Sequence, residues 1–78
     1  MEEREIIEIN NGIKFLIHKE RDIQLKNKLI ADFEIITNTS SNSKIKKTSL
    51  ENLINYFSHL DTWEEEIVTY LVNLLAFN

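Results

Sequence analysis

The sixteen residues Arg4 to Lys19, REIIEINNGIKFLIHK, decide how the chain is read. Asn11-Gly12 at their centre is a strong hairpin signal, because both central residues of a type I′ turn take positive φ. Before it, Arg4 to Asn10 sets Ile7 and Ile9 on one side with Glu8 between them. After it, Ile13 to Lys19 alternates Ile13, Phe15 and Ile17 with Lys14, Leu16 and His18. Period-two alternation marks a half-buried strand, so the stretch predicts two antiparallel strands paired about Gly12. Gly12 is the only glycine in the chain, and a β-branched residue in its place is expected to damage the register.

Working outward, Glu20 to Asp22 is polar and reads as a turn. Beyond it Ile23, Leu25, Leu29, Ala31, Phe33 and Ile35 occupy odd positions, with Asn27 breaking the set. A helix matches only Leu25, Leu29 and Phe33, so the period predicts a third strand, bent or split around Lys26 to Lys28 and firmest from Ile30 to Thr37. Asn38 to Ser43 is small and polar, an exposed loop. Lys44 to Lys47 reads as a solvated linker or as a short edge strand guarded by its lysines.

Helical signals begin at Thr48. Thr48-Ser49-Leu50-Glu51 is a capping box, and Leu50, Leu53, Ile54, Phe57 and Leu60 form the inner stripe of a helix running to about His59. Asp61 with Glu64, or Thr62 with Glu65, caps a second helix from Thr62 to Phe77, TWEEEIVTYLVNLLAF. On a wheel of about 100° per residue its apolar side chains cover roughly 220°, about twice the stripe of an ordinary surface helix. It must be covered from two sides. The predicted architecture is α+β: one domain over residues 1–78, with a three-stranded antiparallel sheet followed by a C-terminal helical hairpin packed on one face.

Composition narrows the chemistry. The 78 residues contain no cysteine and two histidines, which excludes disulfides and the usual zinc ligand sets. Thirteen acidic against nine basic residues give a net charge of −4, and no lysine or arginine follows Lys47. Such a surface repels nucleic-acid phosphates and attracts basic protein clefts. The acidic N-terminus has no signal-peptide core, and no apolar run approaches the about 18 to 20 residues of a membrane span. A soluble, cytoplasmic chain without cofactor or metal is expected.

Few constellations rise to a site. Ser58, His59 and Asp61 lie one and three residues apart, a spacing that does not stack nucleophile, base and orienter; His59 reads instead as a helix C-terminal residue beside the negative end of the dipole. His18 and His59 have no ligand spacing. Lys44, Lys46 and Lys47 with Tyr56 or Phe57 invite a phosphate-and-stacking reading, opposed by the acidity downstream. Asp61, Glu64, Glu65 and Glu66 read as caps and a solvated face, or as carboxylates that meet a partner's arginines in bidentate pairs. Trp63 is a core residue or an interface anchor, and Tyr56 and Tyr70 carry the same two readings.

NGIKFLIHKE, followed by LENLINYF and TWEEEIV, resembles the hairpin-then-acidic-helices plan of small anti-CRISPR inhibitors made by phages of low-GC bacteria, which are likewise short, acidic and free of cysteine. The resemblance implies a non-enzymatic DNA mimic that occupies the basic cleft of a defence nuclease, with Asp61, Glu64, Glu65 and Glu66 imitating phosphates beside Trp63. The basic run Lys44 to Lys47 departs from that plan. Two other readings stand beside it: a homodimer pairing its last helix through Val68, Val72 and Leu75, and an immunity protein or antitoxin of the same surface chemistry.

Overall fold

In the computed structural model, residues 2–38, 42–59 and 65–76 are described. They form four helices: α1 (Glu3–His18), α2 (Ile23–Thr37), α3 (Ser43–Ser58) and α4 (Glu65–Ala76). Among the described residues there is no strand, so the α+β reading and its three-stranded sheet are overturned.

The burial pattern of α1 shows why. The strand reading sets Ile7, Ile9, Ile13, Phe15 and Ile17 on one face. Here Ile9, Ile13 and Ile17 are buried, whereas Ile7 and Phe15 are 53% and 61% exposed. Residues four apart share a helix face and residues two apart do not. Ile6, Ile9, Ile13, Leu16 and Ile17 are the true inner stripe. Gly12 lies inside α1 without positive φ, so Asn11-Gly12 makes no turn. The hairpin on which the anti-CRISPR likeness leaned is absent.

The Glu20–Asp22 turn holds, and its last residue starts α2: Asp22 Oδ1 accepts from the amides of Gln24 at 3.0 Å and Leu25 at 3.2 Å. These bonds satisfy two of the donors a helix start leaves open. In α2, Leu29, Asp32 and Phe33 are buried, with Leu25 and Ile36 packed at the edge of the core. Lys28, one turn earlier, reaches the Asp32 carboxylate at 3.4 Å.

The third helix begins six residues earlier than its capping box suggests. Asn42 is the cap, its side chain accepting from the Lys44 amide at 2.8 Å, and the Thr48 hydroxyl donates back to the Lys44 carbonyl at 3.2 Å. Lys44 to Lys47 is therefore helix, neither linker nor edge strand. The predicted inner stripe holds: Leu50, Leu53 and Phe57 are buried and Ile54 half-buried. Ser58 Oγ and His59 Nδ1 both reach the Asn55 carbonyl, at 3.1 and 2.7 Å, closing the helix where the sequence places its end. The overlapping caps at Asp61 and Thr62, together with Leu60, Trp63, Glu64 and Phe77, lie outside the described residues.

Each helix packs against its chain neighbours, and α1 closes the ring against α4, while the diagonal pairs do not approach. Lys14 of α1 lies over the Phe33 ring of α2, Gly12 faces Ile67 of α4, and the start of α2 shares a groove with the end of α3. The result is a bundle-like fold of four helices. Its core joins Ile9, Ile13, Ile17, Leu29, Phe33, Leu50, Leu53, Phe57, Ile67, Tyr70 and Leu71. The broad apolar arc of α4 is indeed covered from two sides, by α3 and α1.

Candidate functional site

Charge divides the bundle lengthwise. Helix α1 carries Glu3, Glu5 and Glu8 against Arg4 and Lys14, and α4 carries Glu65 and Glu66 with no base. Helix α3 carries Lys44, Lys46 and Lys47 against Glu51, while Lys26 and Lys28 of α2 balance Asp32 and Glu34. α1 and α4 are in contact and both net acidic, while α2 and α3 are in contact and together net basic, so acid gathers on one helix pair and base on the other.

Glu65 and Glu66 begin α4, are exposed, and form no ion pair within 4.0 Å among the described residues. They sit in the first turn of α4. The antiparallel packing of α3 and α4 carries the lysine run to the other end of the bundle. From Lys46 to Ser58 the helix rises roughly 18 Å, about twice the screening length at physiological salt. The basic run that departed from the acidic plan is thus on the other layer and at the other end. Of the remaining candidate partner-binding residues, Asp61, Trp63 and Glu64 lie outside the described residues.

A groove of about 430 Å³ runs between α1 and α4, floored by Ile9, Gly12, Leu16 and Ile67 and rimmed by Glu8, Phe15, Lys19 and Glu66. Phe15 stands on the rim with the Lys19 ammonium 4.5 Å from its ring centre, a cation–π contact that fixes both side chains. Sequence reasoning missed Glu8, Gly12 and Phe15 because it assigned them to a hairpin. The helical period would have flagged Phe15, a large aromatic residue off the inner stripe.

Between α2 and α3, a second groove is lined by Leu25, Lys28, Leu29, Asn52, Asn55, Tyr56 and His59. Beside it the Tyr56 hydroxyl donates to Glu20 Oε1 at 2.8 Å, tying the α1–α2 turn to α3. Burial, then the Glu20 carboxylate, pushes Tyr56 up to about 12. The Asp22 amide, then Tyr56, holds Glu20 below the usual carboxylate range. Burial also raises Tyr70, opposed by the Asn10 side chain.

Ser58 and His59 do touch, at 3.4 Å, but not as nucleophile and base. His59 Nδ1 lies 2.7 Å from the Asn55 carbonyl, which can only accept, so that nitrogen carries the proton and cannot take one from Ser58. His18 is exposed at the end of α1. Among the described residues no three His, Asp or Glu side chains cluster to hold a metal, and no helix is long and apolar enough to cross a membrane. Of the residues expected to pair copies of α4, Val68 and Leu75 pack against the core of their own chain and Val72 is 44% exposed. An isolated exposed valine is an ordinary surface feature. No protein-family model, curated protein or solved structure matches the chain.

Proposed function

We propose that this chain is a non-enzymatic inhibitor that binds a protein partner, its acidic α1–α4 layer occupying a basic, nucleic-acid-binding cleft. The observation that carries the reading is the pair Glu65 and Glu66, exposed at a helix start, unpaired among the described residues, and held away from the lysines of α3. Carboxylates on a rigid helix need little ordering to meet arginines in bidentate geometry. A cleft built for phosphates supplies those arginines.

Binding of this kind weakens as salt rises and is competed by the nucleic acid whose place the inhibitor takes. The test retains partners from lysate on the immobilised chain and follows one retained nucleic-acid-binding protein through purified titration. The double variant Glu65→Gln/Glu66→Gln is expected to bind it at least tenfold more weakly, and duplex DNA to displace the wild type. Lys44→Gln/Lys46→Gln/Lys47→Gln, at the far end, is expected to bind as wild type does. Equal affinity of the glutamine variant, confirmed as folded, overturns the reading. An immunity protein or antitoxin would use the same surface against a toxic nuclease, and the identity of the retained protein separates it from an inhibitor of a defence nuclease.

A further inference from the structure

The groove between α1 and α4 owes its floor to a residue that helix packing does not require. A glycine inside a helix is less favourable than alanine, since it gives up more backbone freedom and buries no side chain. Close approach of two helices is the usual structural reason for one, yet a Cβ built on Gly12 meets Ile67 Cδ1 at 3.7 Å, ordinary van der Waals contact. Alanine would therefore fit. What the missing side chain provides is depth in the groove, between Ile9 and Leu16 on α1 and Ile67 on α4. Its volume of about 430 Å³ lies within the about 300 to 1,000 Å³ typical of binding pockets.

The rim selects the occupant. Glu8 and Glu66 border the groove from its two helices, and Lys19, the one cation among its described lining residues, has its ammonium held against the Phe15 ring. The rim is net acidic around an apolar floor. An acidic segment would meet two carboxylates, and a purely polar one would bury the floor without gain. We infer that the groove takes an amphipathic basic segment of the protein partner, one apolar side chain entering over Gly12 while basic side chains reach Glu8 and Glu66. Phe15 packs along the segment's exposed side, an aromatic anchor of the kind that dominates interface energetics. The mode is a helix or extended segment laid in a groove, with apolar anchors giving the grip and flanking charge the selectivity. This inference rests on the binding reading above and adds where, and by what chemistry, the partner is gripped.

The experiment exploits the uniqueness of Gly12, whose amide gives the only glycine resonance in a ¹H–¹⁵N spectrum of the chain. The full chain is titrated with the peptide Ac-KRLLKRLLKR-NH2, with Ac-KRAAKRAAKR-NH2 lacking the apolar anchors, and with Ac-EELLEELLEE-NH2 reversing the charge. The first is expected to move the Gly12 and Ile67 amides saturably, at least tenfold more tightly than either control. Glu8→Gln/Glu66→Gln, which leaves the floor intact, and Gly12→Leu, which fills it, are each expected to weaken it at least tenfold. A silent Gly12 resonance in wild type overturns the inference, as does a response no greater than that of Asn52 and Asn55 in the opposite groove. Movement of Gly12 on dilution of the chain alone overturns it too, because a second copy would then be the occupant. If Glu65→Gln/Glu66→Gln abolishes partner binding while Gly12 stays silent to the peptide, only the groove assignment falls. If partner binding survives that variant, the binding reading itself has failed.

Discussion

Replacing Gly12 by alanine separates a helix from a hairpin by the sign of a single number. In the middle of α1, alanine gains about 1 kcal/mol over glycine in intrinsic propensity. The added methyl sits 3.7 Å from Ile67 Cδ1 at a half-buried position, worth some fraction of the about 0.8 kcal/mol of a fully buried methylene. The sum is about 1 to 1.5 kcal/mol of stabilisation. Unfolding entropy for 78 residues, at about 2.1 cal/mol/K per residue, converts this into a rise in Tm of about 6 to 9 °C. A type I′ turn makes the opposite prediction, because alanine at positive φ costs about 1 to 2 kcal/mol. Gly12→Val sharpens the test: a β-branched residue in a helix keeps a smaller part of the gain, about 0.5 kcal/mol, whereas in a turn it is worse than alanine. Reversible thermal unfolding followed by circular dichroism reads both variants. A Tm below wild type for Gly12→Ala would refute the placement of Gly12 inside α1.

Two further predictions probe how the helices are joined. Asp22→Ala removes the acceptor of the Gln24 and Leu25 amides and is expected to lower stability by about 1 kcal/mol, measured by urea unfolding, while Asp22→Ser keeps most of it. Burial of Tyr56 and the Asp22 amide on Glu20, each reinforced by the Tyr56–Glu20 bond, make stability depend on pH at both extremes. Tyr56 has its folded pKa raised from 10.0 to about 12, so its contribution is complete below pH 10 and is lost as pH rises through about 12. Glu20 has its folded pKa lowered, so its contribution is present above the ordinary carboxylate range and fades as pH falls through the folded value. Tyr56→Phe is expected to flatten both slopes in urea midpoints measured against pH; Tyr70→Phe, which removes the other raised hydroxyl, is expected to flatten only the alkaline side. An unchanged acid-side slope in Tyr56→Phe would show that the bond does not persist in solution, whereas the alkaline side answers first to burial of the hydroxyl.

What the sequence made legible follows from which signals are unambiguous at this length. The inner stripe of α3, the end of that helix near His59 and the turn at Glu20 to Asp22 were readable, since each rests on a spacing or residue type that no sheet imitates; that α4 needs cover from two sides was readable too, but the side given to a sheet is taken by α1. The N-terminal half was not. In a segment as rich in isoleucine and leucine as Ile6 to Ile17, odd positions and helical positions overlap at Ile9, Ile13 and Ile17, so period alone fits both structures. Ile6 and Leu16 break the tie, because a strand would put them opposite the core and a helix puts them against it. Turn chemistry pointed the same way: one glycine and no proline in 78 residues leave little material for the tight turns of a three-stranded meander. Asn11-Gly12 was persuasive only in isolation.

The start of α3 failed for a different reason. Lys44, Lys46 and Lys47 oppose the positive end of the helix dipole, so local electrostatics argue against a helix there, and the Thr48 box offered a better start six residues after Asn42. Asn42 caps the earlier turn all the same, and Ser49 and Leu50 then fall on the buried face. Tertiary burial outweighs an adverse first turn worth a few tenths of a kcal/mol to about 1 kcal/mol per charge. The acidic site was legible as composition, because carboxylates gathered after Lys47 need no fold to be counted. Its counterpart on α1 was not, because Glu8 and Phe15 join Glu66 only once α1 is a helix lying antiparallel to α4. The groove is a product of topology, and its depth depends on the same glycine that made the sequence look like a hairpin.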